Sequence, residues 1–246
     1  MENSISAIKR KAKVQVRGNA FNSLLLAMVI IFFYALVPIF LKEVGCVITF
    51  LISGPVFLGL CILFLSVARV DKTPTEEMQK GKVMAPLGLD FIHAIKSIGN
   101  VNPYQANLSL TFYGFKYFFK AFVLFLWNII LVSLWTLLLI VPGIIKAISL
   151  SMSFFILADN PTVSVPKAMV LSEKMTEGHK KDLFLIGLSF LGWILLTLAS
   201  FMLASFVTLP YVMTSYALVY EQLKEESIIK GVIEKDDIVS FKTWEY

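Results

Sequence analysis

Across five stretches of this chain, 18–41, 44–68, 121–145, 147–158 and 183–220, there is not one charged side chain. Charged residues make up 16% of the sequence, against roughly 25% in a soluble domain. The shortage leaves too little polar surface to cover a water-soluble fold, and several of the runs exceed the ~18 residues at which a membrane helix is expected. Cysteine is almost missing. Cys46 and Cys61 both fall in the second apolar stretch, at a spacing that suits neither a hairpin disulfide nor a zinc site, so both read as small buried hydrophobes. The only histidines, His93 and His179, fall in polar loops. There is no HExxH, no GxSxG, no Walker loop and no Gly-rich dinucleotide fingerprint, so the sequence leads us to expect no catalytic residue, no metal and no cofactor. A net charge of +5 does not point to nucleic acid either, because the positive residues are divided among short loops instead of forming one basic face.

What the sequence does have is apolar length: 57% hydrophobic residues and a mean hydropathy of +0.78. The expected fold is all-α, a polytopic transmembrane helical bundle of about six spans with amphipathic interfacial helices. The expected spans are 21–41, 44–68, 121–141, 144–158, 183–200 and 205–221, in one membrane domain covering 1–223, with a cytoplasmic loop at 69–120 and a soluble, partly disordered cytoplasmic tail at 224–246. The first run is longer than a signal-peptide core and no A-x-A-like site follows it, which reads as a retained helix. Lys42-Glu43 reads as a minimal turn and Gly54-Pro55 as a kink inside the second span.

In the long loop, Phe91, Ile92, Ile95 and Ile98 share one helical face behind Asp90 as N-cap. The aromatics from Phe112 to Phe119, set beside Lys116 and Lys120, suit the membrane–water interface. Pro142-Gly143 is expected to end the third span. The fourth helix, 144–158, is short enough either to span or to be re-entrant. A cytosolic helix is expected over 164–177, capped by Ser164 and stopped by Gly178. The 38 uncharged residues 183–220 are enough for two spans joined near Ser200–Ser205.

Pairing six spans as 1–2, 3–4 and 5–6 places the N-terminus, 69–120, 159–182 and the tail on one side. Those segments hold 20 of the 22 Lys and Arg residues, leaving Lys42 and Lys146 opposite. Because cytoplasmic loops are enriched in Lys and Arg, both termini are expected in the cytoplasm.

Four polar residues within or beside the apolar segments are the candidate functional positions. Lys146 has three readings: snorkelling to the outer interface, pairing inside the bundle, or contacting a substrate or lipid headgroup. Ser149, with Ser153 on the same helix face, reads either as a polar seam or as a site of close packing. Asp159 and Asn160 read as caps of the following helix, with an ion site as the alternative. Asn128 is expected to bond across helices.

The run Val141-Pro142-Gly143-Ile144-Ile145-Lys146-Ala147-Ile148-Ser149, continuing to Ile156-Leu157-Ala158-Asp159-Asn160-Pro161, carries a resemblance. So do Gly178-His179-Lys180, Leu188-Ser189-Phe190-Leu191-Gly192-Trp193 and Pro210-Tyr211. Together they resemble the bacterial integral membrane family called domain of unknown function 975. The chain departs from that pattern at Leu150, at Ser153-Phe154-Phe155 and in the long 70–115 segment. The resemblance implies a helical membrane protein of bacterial origin, distantly similar to the membrane domain of some glycerophosphodiester phosphodiesterases, and it implies no activity.

The expected function is that of a non-enzymatic accessory or envelope-homeostasis factor in the plasma membrane. Its alternatives are a small transporter or permease component, or the membrane partner of a lipid-modifying enzyme. The partners this implies are the lipid bilayer and a membrane or cytoplasmic protein, with no nucleic acid; the sequence leaves the oligomeric state open. Single cysteines placed at 42, 96 and 235 test the topology: only 42 should react with an impermeant thiol reagent on intact cells. Reaction at 235 would overturn the six-span arrangement.

Overall fold

The computed structural model describes residues 6–13, 20–69, 113–200 and 204–234, with side chains described for all but 20–43, Arg69, Tyr113 and Phe206. No strand occurs among them. The elements are α1 (6–13), α2 (Ala20–Arg69), a 3-10 turn (Tyr113–Tyr117), α3 (Phe118–Leu138), α4 (Ile140–Leu150), α5 (Ser153–Asp159), α6 (Val165–Thr176), α7 (Lys180–Ser189), α8 (Leu191–Ala199) and α9 (Ser205–Ile229). Four segments are long and apolar enough to cross a membrane: Val44–Ala68, Gly114–Leu138, Ile140–Asp159 and Lys180–Ala199. The helix expected around 90–98, and with it His93, lies outside the described residues.

Several boundaries differ from expectation, each for a physical reason. Lys42 and Glu43 are helical, so α2 runs through the expected turn without interruption. Neither residue is a helix breaker, and both have good helix propensity. At 1.5 Å per residue its contour is about 75 Å. That is more than twice the ~30 Å hydrocarbon core. α2 also passes through Pro55 unbroken.

The third helix ends three residues before Pro142, at Leu139, whose backbone is extended (φ −158°, ψ 140°). A proline ring clashes with the carbonyl four residues back, here Leu138, so the helix must stop there; Pro142 then falls in the first turn of α4, where no N–H is needed. The expected helix 144–158 is two helices, α4 and α5, parted at Ser151–Met152. The last apolar run is likewise interrupted, at Phe190. Beyond it, the Ser200 hydroxyl accepts a bond from the Ala204 N–H, 2.9 Å away, in the expected turn.

Two antiparallel hairpins carry the architecture. In the first, α3 lies against α4–α5: Thr136 meets Gly143, Asn128 meets Ser153, and Lys120 donates to the carbonyl of Pro161 at 2.7 Å. A Cβ on Gly143 would stand 2.7 Å from the Cα of Thr136, so only glycine lets the two helices of the hairpin close this tightly. In the second, α7–α8 lies against α9 through Thr197 with Thr208, Trp193 with Tyr211 and His179 with Glu226. Between the hairpins α6 turns back at Gly178, which takes a positive φ of 83°.

α2 and α4–α5 form the inside: in the most apolar windows of Val44–Ala68 and Ile140–Asp159, 56% and 50% of residues are buried. The corresponding shares for Gly114–Leu138 and Lys180–Ala199 are 11% and 17%, which puts these helices on the outside. At the tip of the first hairpin, Leu137 to Val141 are each between 63% and 86% exposed. Five consecutive exposed aliphatic residues are costly in water and favourable in lipid. α8 has no buried residue at all.

The tail also differs. α9 continues to Ile229, with Leu223 and Ile233 buried in the core, so the first ten residues of the expected soluble tail belong to the bundle. Residues 235–246 lie outside the described set.

Gly143→Ala should lower stability in detergent by about 1–3 kcal/mol through overpacking. Gly192→Ala, where an added Cβ meets nothing within 4 Å, should be neutral or stabilising by up to about 1 kcal/mol. Equal thermal shifts for the two would contradict the hairpin packing.

Candidate functional site

The polar chemistry of the described residues gathers around the break between α4 and α5. A broken helix leaves carbonyls and N–H groups without i→i+4 partners, and in lipid no water replaces them. Here Ser172 of α6 fills the gap. Its hydroxyl donates to the carbonyl of Ser149 at 2.7 Å and accepts from the N–H of Met152 at 3.2 Å. The hydroxyl of Thr176, one turn further along α6, approaches the same Ser149 carbonyl at 3.4 Å. Ala168, Ser172 and Thr176 are fully buried and four residues apart, so the face that α6 turns toward the break is small. That stripe, on a helix otherwise rich in charge, is the sequence signal that could have revealed this seam.

Each predicted site residue has a definite place. Lys146 makes an ion pair with Glu173 of α6. With side chains 22% and 41% exposed, this pair sits at the edge of the packed region. Ser149 is buried and its own hydroxyl bonds back to the carbonyl of Ile145 at 2.9 Å. Asp159 does not hold the N-cap position of α6, which is Ser164. The aspartate is buried at the end of α5, where Oδ2 accepts from the Tyr220 hydroxyl at 3.1 Å and pairs with Lys224 of α9. Burial of a carboxylate is tolerated only with a close cation, and that cation comes from the segment expected to be a free tail. Asn160 holds the C-cap position of α5 rather than the N-cap of α6; its Oδ1 accepts from the N–H of Thr162 at 3.2 Å and from the Thr162 hydroxyl, forming a local turn. Ser164 holds the N-cap position of α6 without a side-chain bond. Lys146, Ser149 and Ser153 are therefore brought near one seam, while Asp159 and Asn160 belong to the neighbouring end of α5.

Asn128 does bond across helices, donating from Nδ2 to Ser153 Oγ at 3.0 Å. The Ser153 proton goes to the carbonyl of Leu150 at 2.7 Å, so the serine must accept from Asn128, and this fixes which way the amide points. Asn128 Oδ1 is then buried without a partner.

Near the end of α9, His179 Nε2 lies 3.2 Å from Glu226 Oε1, and Nδ1 lies 3.9 Å from Asp182 Oδ2. A hydrogen bond from Lys230, aided by His179 against partial burial, holds the Glu226 carboxyl below its usual value. Among the described residues no group of three or more His, Cys, Asp or Glu is placed to hold a metal ion. At the other end of the chain, α1 docks on the junction of α7 and α8. Lys9 donates to the carbonyl of Ser189 at 3.3 Å and stands 4.6 Å over the Phe190 ring.

Two cavities flank the seam. One, of about 550 Å³, lies between the first hairpin, α2 and α9; the other, of about 400 Å³, lies between α4 and α7. Ala147, Ser151 and Tyr216 line both.

The sequence model of the family described as "Protein of unknown function (DUF975)" matches residues 1–227. No curated protein and no solved structure matches the chain.

Removing one partner of a buried ion pair costs about 3–5 kcal/mol, whereas an exposed pair contributes about 0–1 kcal/mol. Asp159→Ala should therefore destabilise the detergent-solubilised protein far more than Lys146→Met, as read by thermal unfolding. The opposite order would contradict the assignment of the two pairs.

Proposed function

Since this chain belongs to the DUF975 family of proteins of unknown function, we propose that it is a multi-pass plasma-membrane protein of a bacterium and acts as a non-enzymatic accessory or envelope-homeostasis factor. The observation that carries this reading is the use of its intramembrane polar groups. Lys146 pairs with Glu173, Ser172 bonds to the carbonyl of Ser149, and Asp159 pairs with Lys224, contacts that hold helices together. A bundle whose ion pairs and seam hydroxyls are spent on its own packing suits a scaffold for other membrane components better than an enzyme. The cytoplasmic placement of both termini belongs to the same proposal and is supported by the charge pattern; the six-span pairing expected from the sequence does not fit, because α2 is continuous and α6 packs into the bundle.

A second reading, a small permease component, is favoured by one observation: the discontinuous helix at Ser151–Met152, a feature that lines binding sites in transporters.

Affinity purification of the full chain in a mild detergent, combined with reconstitution into liposomes, separates the two. The accessory reading predicts a protein that co-purifies in fixed ratio, and liposomes loaded with the chain alone that move no more solute than empty ones. Solute flux from the chain alone, abolished by Lys146→Met at unchanged abundance, would replace it with the permease reading.

A further inference from the structure

Beside the α4–α5 break a groove of about 550 Å³ opens to the surface of the bundle. It falls within the range of small-molecule pockets, about 300–1,000 Å³. Its walls narrow the choice of occupant. No charged residue lines it or its 400 Å³ neighbour, and most of the lining is aliphatic or aromatic. A charged headgroup would be desolvated there without a counter-ion, which is prohibitive. An alkyl chain gains from burial.

The polar groups are few and placed together. Tyr216 stands in the wall shared by the two cavities, its ring against Phe190, and its hydroxyl bonds to no other described residue. That hydroxyl lies over Gly187, where an added Cβ would already come to 3.4 Å, so the glycine leaves room around it. Asn128, whose Oδ1 has no partner, lines the larger cavity. A way in from the lipid exists as well. Phe57 and Ile129 line the larger cavity and are 37% and 39% exposed on the apolar surface.

We infer that the paired cavities around Tyr216 form a binding site for an uncharged, single-chain amphiphile, a long alkyl chain bearing a hydroxyl group, taken laterally from the bilayer. The chain occupies the apolar walls, and the ligand hydroxyl pairs with that of Tyr216. This rests on the membrane reading above, but not on the accessory role.

The test uses the full chain in lipid nanodiscs and three photoreactive probes carrying a diazirine on a sixteen-carbon chain: the alcohol, the alkane and the alkyl phosphate. The alcohol should label Val132, Leu150 or Met213 about fivefold more than the alkane, the ratio that one net hydrogen bond supplies. The phosphate should label only exposed positions such as Leu137 and Leu195. Tyr216→Phe should bring the alcohol down to the level of the alkane and leave alkane labelling unchanged. Ala147→Phe, at an exposed position that faces both cavities, should block both; if that variant does not fold, Tyr216→Phe alone decides. Equal labelling by all three probes, a preference that survives Tyr216→Phe, or cavity positions left unlabelled would each overturn the site, the last result describing water-filled space. Failure of the membrane reading has its own signature, since Leu137 and Leu195 would then escape every probe.

Discussion

In hydrocarbon a backbone N–H or carbonyl that leaves its helix has no water to turn to, and the cost of each such group is several kcal/mol. The bundle meets that constraint at Ser151–Met152, where the Ser172 hydroxyl takes the carbonyl on one side of the break and the N–H on the other. The position of α6 depends on this contact. The ion pair of Glu173 with Lys146 lies beside it, one residue further along α6. Small residues at 168, 172 and 176 let the helix approach closely enough to do both.

A second lock fixes the other end of α5. Asp159, buried, is held by Tyr220 and Lys224 of α9, and Phe155 stacks on the Tyr220 ring with centroids 5.6 Å apart. Since α9 also closes the hairpin with α7–α8, the two locks tie the second hairpin to the first. Between them the chain keeps an apolar wall with two cavities, and outside them it keeps an apolar belt that water would disfavour. The regions facing lipid are left to aliphatic side chains whose partner is the solvent itself.

The four membrane-length apolar helices were legible in the sequence because they depend on local composition: Gly114–Leu138 is apolar from end to end, and its helix follows from that. The break before Pro142 was legible in kind but misplaced by three residues, because the clash acts on the carbonyl four residues earlier. Lys146 was legible as a residue in need of a partner. The partner was not, since Glu173 sits on a helix whose charges read as solvated. Asp159 was misread for a related reason. Its cation lies 65 residues away in a segment whose composition resembles a free tail, and only tertiary packing brings the two together. Ser172 carried a faint signal in its spacing to Ala168 and Thr176. The cavities carried none, because a void is a property of the packed helices and not of any one stretch.

The central claim is that the Ser172 side chain seals the helix break. Hydrogen exchange at the Met152 amide, measured in nanodiscs for the wild type and for Ser172→Ala, tests it most directly. The account predicts protection in the wild type and about tenfold faster exchange at Met152 in the variant, with the amide of Ile156, which bonds to the Met152 carbonyl within α5, unchanged. A tenfold change corresponds to roughly the net contribution of one hydrogen bond. Identical exchange at Met152 in the two proteins would contradict it.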